Sequence, residues 1–196
     1  RMEQLDVTFA SRYLDAFSAF RQGQSVTHSW HVAFTTAHRR VPIILQHLLV
    51  GMNAHINLDL GIAAAQVAPG PALTALKHDF NEINQILLGL VSEVENAIAE
   101  VSPWIGWLET IGGKTDDVLV EFSLKATRRF AWDVAEKLAP LTLEQQALTI
   151  KDLDLGVSLL GNAIVHPPFL LRLGLLVIRS RESNDVVQVI DLLSRE

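Results

Sequence analysis

The sequence predicts an all-α fold, and three observations support this prediction. Apolar residues recur at helical spacing along nearly the whole chain, whereas no segment shows the alternating pattern of a strand. Proline, glycine and capping residues divide the chain into pieces of helix length. Of the 196 residues, 49% are hydrophobic and only 19% are charged, so the chain can bury a large core. We therefore expect a single domain, residues 1–196, with orthogonal or bundle-like packing of about eight helices around a central apolar helix at about 42–67.

The residues at the helix ends give approximate boundaries. Thr27 is suited to cap one helix, and Thr142 with Gln145 forms a capping-box pattern for another. Pro42 is suited to the first turn of the central helix, which stops at the stretch APGP. The predicted helices cover residues 3–21, 28–40, 42–67, 72–101, 115–138 and 142–165, followed by one helix after Pro167-Pro168 and a last one capped by Ser183.

Composition and charge disfavour several classes of protein. The net charge is −6, and Lys and Arg form only short pairs such as Arg39-Arg40, so we expect no nucleic-acid partner. The absence of cysteine removes disulfides, thiolate zinc sites and cysteine nucleophiles. It fits a reducing cytoplasm, where we expect the protein to be located. Charges throughout residues 1–22 argue against a signal peptide.

Two apolar stretches raise the question of a membrane. Residues 41–76 carry one formal charge, Asp59, but their His, Asn and Gln side chains would be costly in lipid, so we predict a buried helix and no transmembrane segment. The stretch FLLRLGLLVIRSR, residues 169–181, is suited to weak contact with a membrane surface, which Trp104 and Trp107 could assist.

The central helix carries an unusual set of polar residues within the stretch VGMNAHINLDLG, residues 50–61. Because an α-helix turns about 100° per residue, four residues are predicted to line one side. They are His47, Gly51, His55 and Asp59. Asn53 and Asn57 fall nearly opposite, and the rest of the helix is apolar. We therefore predict a buried helix with two polar seams, each facing a neighbouring helix.

A carboxylate on such a helix needs a hydrogen-bond donor, since an unpaired buried carboxylate is costly or takes up a proton. His55, one turn before Asp59, is the predicted donor, and the pairing would fix its tautomer. In the helix at 72–101, Asp79 is aligned with the apolar stripe and is predicted to be a second buried carboxylate, with Asn84 at the edge of that stripe. Arg128 is a candidate counter-ion for either carboxylate.

The motif G-x-N-A-H-I-N-x-D-L at 51–60 resembles the signature of an uncharacterised bacterial and fungal family, a domain of unknown function. Three more stretches resemble that family: Trp30 to Phe34, DFNEINQIL at 79–87 and EFSLKATRRFAW at 121–132. The resemblance implies an all-helical single domain and supplies no activity. Its motif positions are Asn53, His55, Asn57, Asp59, Asp79, Asn84, Arg128 and Trp132.

The first functional hypothesis is an enzyme. His55, oriented by Asp59, would act as general acid or base in a pocket between helices, with Asp79 shifting the proton balance. Asn53 or Arg128 would steady a developing negative charge. Aromatic residues and low charge favour a small apolar, ester-like or lipid-like substrate, as for a hydrolase. The predicted binding residues are Asn53, Asn57, Asn84, Arg128, Trp30, Trp132 and His47.

Two other hypotheses use the same residues differently. A helical bundle could hold a divalent metal such as zinc or iron, although the Glu-x-x-His and His-Glu-x-x-His patterns are absent. The candidate ligands are His47, His55, Asp59, Asp79 and His31. Alternatively, the polar network is purely structural, and the protein is a non-catalytic one that binds a partner or a membrane surface.

Overall fold

A computed structural model describes residues 2–89, 91–106 and 124–193 of the chain. These residues form nine helices and no strand, which confirms the all-α prediction. The helices are α1 (Met2–Arg21), α2 (His28–Ala37), α3 (Ile44–Val67), α4 (Leu73–Gly89), α5 (Val91–Val101), α6 (Leu124–Leu138), α7 (Leu143–Val165), α8 (Phe169–Arg179) and α9 (Val186–Leu193).

Two of the predicted caps are confirmed. The Thr27 hydroxyl accepts a hydrogen bond from the Trp30 amide at the start of α2. Thr142 and Gln145 form the reciprocal capping box of α7. The chemistry of a cap involves only neighbouring residues, so the sequence is sufficient to predict it.

Other predicted boundaries need correction. Helix α2 ends at Ala37 rather than near Arg40, and α3 begins after Pro42, at Ile44. Asp185 caps α9, because its carboxylate accepts from two amides of the first turn, whereas the Ser183 hydroxyl accepts from the Asp185 amide.

Two further predictions concern the middle of the chain. The helix predicted at 72–101 is described as two helices, α4 and α5. The helix predicted at 115–138 is described from Leu124 onward, so its proposed start at Thr115 lies outside the described residues, as does Trp107.

Helix α3 lies at the centre of the fold, as predicted. It packs against α1, α2, α6 and α7, and residues 57–65 are all buried. Its buried side chains join those of α4, α6 and α7 in the largest apolar cluster, which includes Phe80 and Leu138. Within the described ranges, α3 is the one helix long and apolar enough to cross a membrane, and 72% of that apolar stretch is buried against the rest of the protein.

The middle of α3 is wound more widely than an α-helix. Asn53–Leu60, with the sequence NAHINLDL, forms a π-helix between the α-helical segments Ile44–Met52 and Gly61–Val67. The expectation of regular α-helix through this stretch is therefore wrong. π-Helical turns are rare and occur frequently at functional sites. Here the wide segment coincides with the four polar residues of the sequence motif.

Gly61 sets the distance between α3 and α6. A Cβ atom at this position would lie 2.6 Å from the carbonyl oxygen of Ala131 and 2.6 Å from a methyl carbon of Val134. We expect Gly61→Ala to lower the free energy of unfolding by about 2 kcal/mol or more, because the backbone of α6 must move away. Urea denaturation would measure the change.

Gly51 provides the matched control in the same helix. A Cβ atom there would meet nothing within 4 Å. Gly51→Ala should therefore raise stability by up to about 1 kcal/mol through helix propensity alone. Equal effects of the two substitutions would contradict close packing at Gly61.

Candidate functional site

Asp59 is the centre of a buried polar cluster. Only 1% of its surface is exposed. Its two carboxylate oxygens accept separate hydrogen bonds, one from Arg12 Nε of α1 at 2.7 Å and one from Trp30 Nε1 of α2 at 2.8 Å. The guanidinium supplies the opposite charge that a carboxylate in this environment requires. Asp59 thereby connects α3 to two other helices.

His55 lies beside Asp59 in the π-helical segment. Its Nδ1 atom is 3.5 Å from Asp59 Oδ2 and has no hydrogen-bond partner among the described residues. The imidazole is stacked on the Phe9 ring with centroids 3.7 Å apart, and it also neighbours Tyr13 and Trp30. About a quarter of the side chain is exposed although Nδ1 is buried. The solvent-facing part of the side chain is therefore not the nitrogen beside Asp59.

Arg12, the charge partner of Asp59, is absent from the predicted set. The sequence does contain a signal for it. Leu5, Phe9, Arg12 and Ala16 follow the i, i+4, i+7, i+11 spacing of one helix face, and the three apolar members are at least partly buried. An arginine in the middle of an apolar stripe is a candidate partner for a carboxylate on a neighbouring helix.

The predicted counter-ion Arg128 occupies a different place. It is buried on α6, with its guanidinium carbon 4.6 Å from the centroid of the Phe80 ring. Burial lowers the pKa of Arg128 to about 10, against the opposing effect of the Asp6 charge. Arg12 rather than Arg128 pairs with Asp59, so that prediction is wrong.

Asp79 does not join the cluster either, which corrects the prediction of a second buried carboxylate. It is exposed, whereas Leu73, Leu76 and Phe80 form the buried stripe of α4. Asp79 lies about 60° from Leu76 on the helical wheel, on the far side from Phe80, and this displacement places it outside the contact. The side chain of Asn84 lies outside the described residues.

The predicted metal ligands are not gathered into one place. His47 lies near Arg179 of α8, and burial together with that positive charge lowers the pKa of His47. His31 is exposed on α2. Within the described ranges, no group of three or more His, Asp or Glu residues is arranged to hold a metal ion.

The second polar seam is present on the other side of α3. Asn53 Nδ2 donates to the Val157 carbonyl of α7 at 2.8 Å, and Asn57 Nδ2 donates to Asn53 Oδ1 at 2.8 Å. Asn57 also lines a cavity of about 500 Å³ with apolar neighbours that include Phe130 and Leu160. His55 is not among the residues that line this cavity. Asn53 is likewise engaged with α7.

The two predicted tryptophans have different locations. Trp30 forms part of the Asp59 cluster. Trp132 lies on α6, where its Nε1 donates to Glu136 at 2.6 Å and its ring contacts Phe80 and the ammonium of Lys77. Trp132 is therefore not a wall of the same site.

Two buried carboxylates outside the predicted set cap helices. Asp154 of α7 accepts hydrogen bonds from the amides of His28 and Ser29 at the start of α2. Burial alone would raise the pKa of Asp154, but these hydrogen bonds outweigh it and the pKa is lowered. Glu182 accepts from the Ile44 amide at the start of α3 and from the Ser102 hydroxyl. Both are carboxyl groups at helix N-termini, where backbone amides lack partners within the helix.

Comparison with known proteins gives one match, to a family described as a family of unknown function, DUF5995, whose model covers residues 1–167. The chain belongs to the DUF5995 family. The predicted membership of an uncharacterised family is thereby confirmed. The match spans α1 to α7 and includes all of Arg12, Trp30, His55 and Asp59, whereas α8 and α9 follow it. No curated protein and no solved structure matches the chain.

Proposed function

We propose that this DUF5995 protein is a small acid–base enzyme in which His55 is the general base and Asp59 orients it. The observation that carries the proposal is the position of His55. Its Nδ1 atom is buried beside a carboxylate while another part of the side chain reaches solvent. A histidine oriented by a carboxylate in this way is the usual arrangement of a catalytic base.

The surrounding groups support this role for Asp59. Arg12 and Trp30 each hold one carboxylate oxygen, so the carboxylate is fixed in position and has its charge balanced. It favours the tautomer with a proton on Nδ1, which leaves the Nε2 lone pair available. The 3.5 Å separation from Asp59 exceeds a hydrogen bond, and such contacts in unliganded sites often shorten when substrate binds.

The side chains beside His55 favour a small apolar ester as the substrate class. The Phe9 ring is stacked on the imidazole, the Trp30 ring lies 5.8 Å from it, and the exposed ring of Tyr13 lies 6.0 Å from it. His55 would take a proton from water as the water oxygen attacks the ester carbonyl. The alcohol would then leave with a proton returned by His55. The Tyr13 hydroxyl is the proposed donor to the carbonyl oxygen.

The experiment is the hydrolysis of p-nitrophenyl acetate and p-nitrophenyl butyrate by wild type, His55→Gln and the control His78→Gln. His78 is an exposed histidine on α4. We expect His55→Gln to lower kcat/KM by about 100-fold or more, since general acid–base catalysis contributes 10²–10⁴-fold, and His78→Gln to leave it unchanged.

Two outcomes would contradict the proposal. One is a wild-type rate no greater than that of free imidazole at the same concentration. The other is a His55→Gln variant that is folded, as judged by its melting temperature, and retains the wild-type rate.

A further inference from the structure

Helix α8 exposes an apolar face. Its buried side carries Leu171, Leu175 and Ile178, which pack on Ile43 at the start of α3. Its outer side carries five large apolar side chains, each at least 38% exposed, which we call the α8 face. They are Phe169, Leu170, Leu173, Leu176 and Val177. All five fall within an arc of about 120° on the helical wheel, so they form one continuous surface. Contiguous exposed surfaces of this kind usually mark an interaction site.

A basic groove borders the α8 face. It has a volume of about 390 Å³ and is lined by Arg39 and Arg40 from the α2–α3 connection, by Arg172 of α8 and by His166. Leu176 lines the groove and also belongs to the α8 face, so the two features are continuous. None of the described residues that line the groove is acidic. This concentration of positive charge stands out in a chain whose net charge is −6.

The arginines of the groove are placed at the surface. Arg39, Arg40 and Arg172 are all exposed. Arg179 has a different role. Its guanidinium donates to the Arg40 carbonyl at 2.7 Å, which holds the end of α8 against the α2–α3 connection, and it also donates to Asn184 at 2.7 Å. Arg181 adds another positive charge beyond the end of α8, above the half-exposed ring of Trp104.

We propose that the α8 face and the basic groove bind the surface of an anionic membrane. The apolar side chains would enter the boundary between headgroups and acyl chains, and the groove arginines would contact lipid phosphates. Helices α7 and α8 meet at a bend of 64°, so α8 is not a continuation of α7. Helix α8 would therefore present its side, rather than its end, to the bilayer. In a two-fold dimer formed through this surface, the basic groove would face its own copy and like charges would repel, so we commit to an anionic bilayer as the partner. The proposal is independent of the chemistry at His55.

The test is co-sedimentation of the full chain with vesicles of phosphatidylcholine alone and of phosphatidylcholine mixed with phosphatidylserine. We expect binding to the mixed vesicles, weakened by added salt, and little binding to the neutral ones. Arg40→Gln with Arg172→Gln should lower the binding constant by about 25-fold, as each arginine near an anionic surface contributes about five-fold. Leu170→Ser with Leu173→Ser should lower it by more than ten-fold.

The control is Leu143→Ser with Leu148→Ser. These exposed leucines lie at the opposite end of α7, roughly 25–35 Å from the groove. The control should bind as wild type does. Three results would overturn the proposal: no binding to anionic vesicles, equal binding to neutral vesicles, or equal loss in the control. Size-exclusion chromatography with light scattering would identify the second-copy alternative, in which wild type is a dimer and the Leu170/Leu173 variant is a monomer.

Discussion

Replacing Asp59 by alanine is expected to lower the free energy of unfolding by about 3 kcal/mol. The substitution leaves the Trp30 indole N–H and the Arg12 guanidinium without their acceptor. Removal of one partner from a buried ion pair costs about 3–5 kcal/mol. The lower end applies because 24% of the Arg12 side chain is exposed and can be partly rehydrated. Urea denaturation of the two proteins at neutral pH would measure the difference.

A double variant separates the effect of losing the ion pair from the effect of losing side-chain volume. Arg12→Met with Asp59→Leu replaces both charges by apolar groups, and such replacements are often neutral or stabilising. The double variant should therefore be more stable than Asp59→Ala alone. If Asp59→Ala instead melts at or above the wild-type temperature, the carboxylate is retained at a cost to stability, as at many functional sites. That result would contradict the stability prediction while favouring the catalytic proposal.

Replacing Glu182 by alanine should cause the second large loss of stability. Its carboxylate is buried and accepts from the Ile44 amide at 3.0 Å and from the Ser102 hydroxyl at 2.7 Å. Glu182→Ala would bury both donors unsatisfied, and we expect a loss of about 3 kcal/mol, since each unsatisfied group costs about 1–3 kcal/mol. Glu100→Ala, at an exposed position on α5, is the control and should have little effect. An unchanged unfolding midpoint for Glu182→Ala would contradict its role as the cap of α3.

The pH dependence of stability gives an independent test of how the Glu182 carboxyl group contributes to stability. Burial raises the pKa of Glu182 above its ordinary value, and its hydrogen bonds only partly oppose this effect. The folded protein therefore binds the proton more tightly than the unfolded chain does. The resulting stabilisation is complete below the ordinary pKa of glutamate and is lost as pH rises through the raised pKa of the folded state. Glu182→Gln should lack this decline in urea denaturation at a series of pH values, and an identical decline in both proteins would assign it to other groups.

The sequence predicts much of this fold because its signals are local. The caps at Thr27 and Thr142 depend on neighbouring residues, and the central position of α3 follows from its apolar surface. The separation of the Asn53 seam from the Asp59 seam also follows from spacing, since residues four apart stay on one side of a helix.

The partners of the buried carboxylates are harder to predict because they lie on other helices. Arg12 and Arg128 are both arginines on amphipathic helices, and only the packing of α1 on α3 decides between them. Asp79 lies close to the buried face of α4 on the helical wheel, but that face is too narrow to include it. The π-helical winding of Asn53–Leu60 has no local signature, as the same residues are compatible with an α-helix.

The contacts of Glu182 also bear on where the chain can be cut. The family match ends at residue 167, yet Ile43 within the matched region is completely buried under α8. A fragment that ends at residue 167 would expose this isoleucine and remove the carboxylate that receives the Ile44 amide. The limit of recognisable family sequence is therefore not a safe place for truncation, and a protease that cleaves after α7 should release a fragment prone to aggregation.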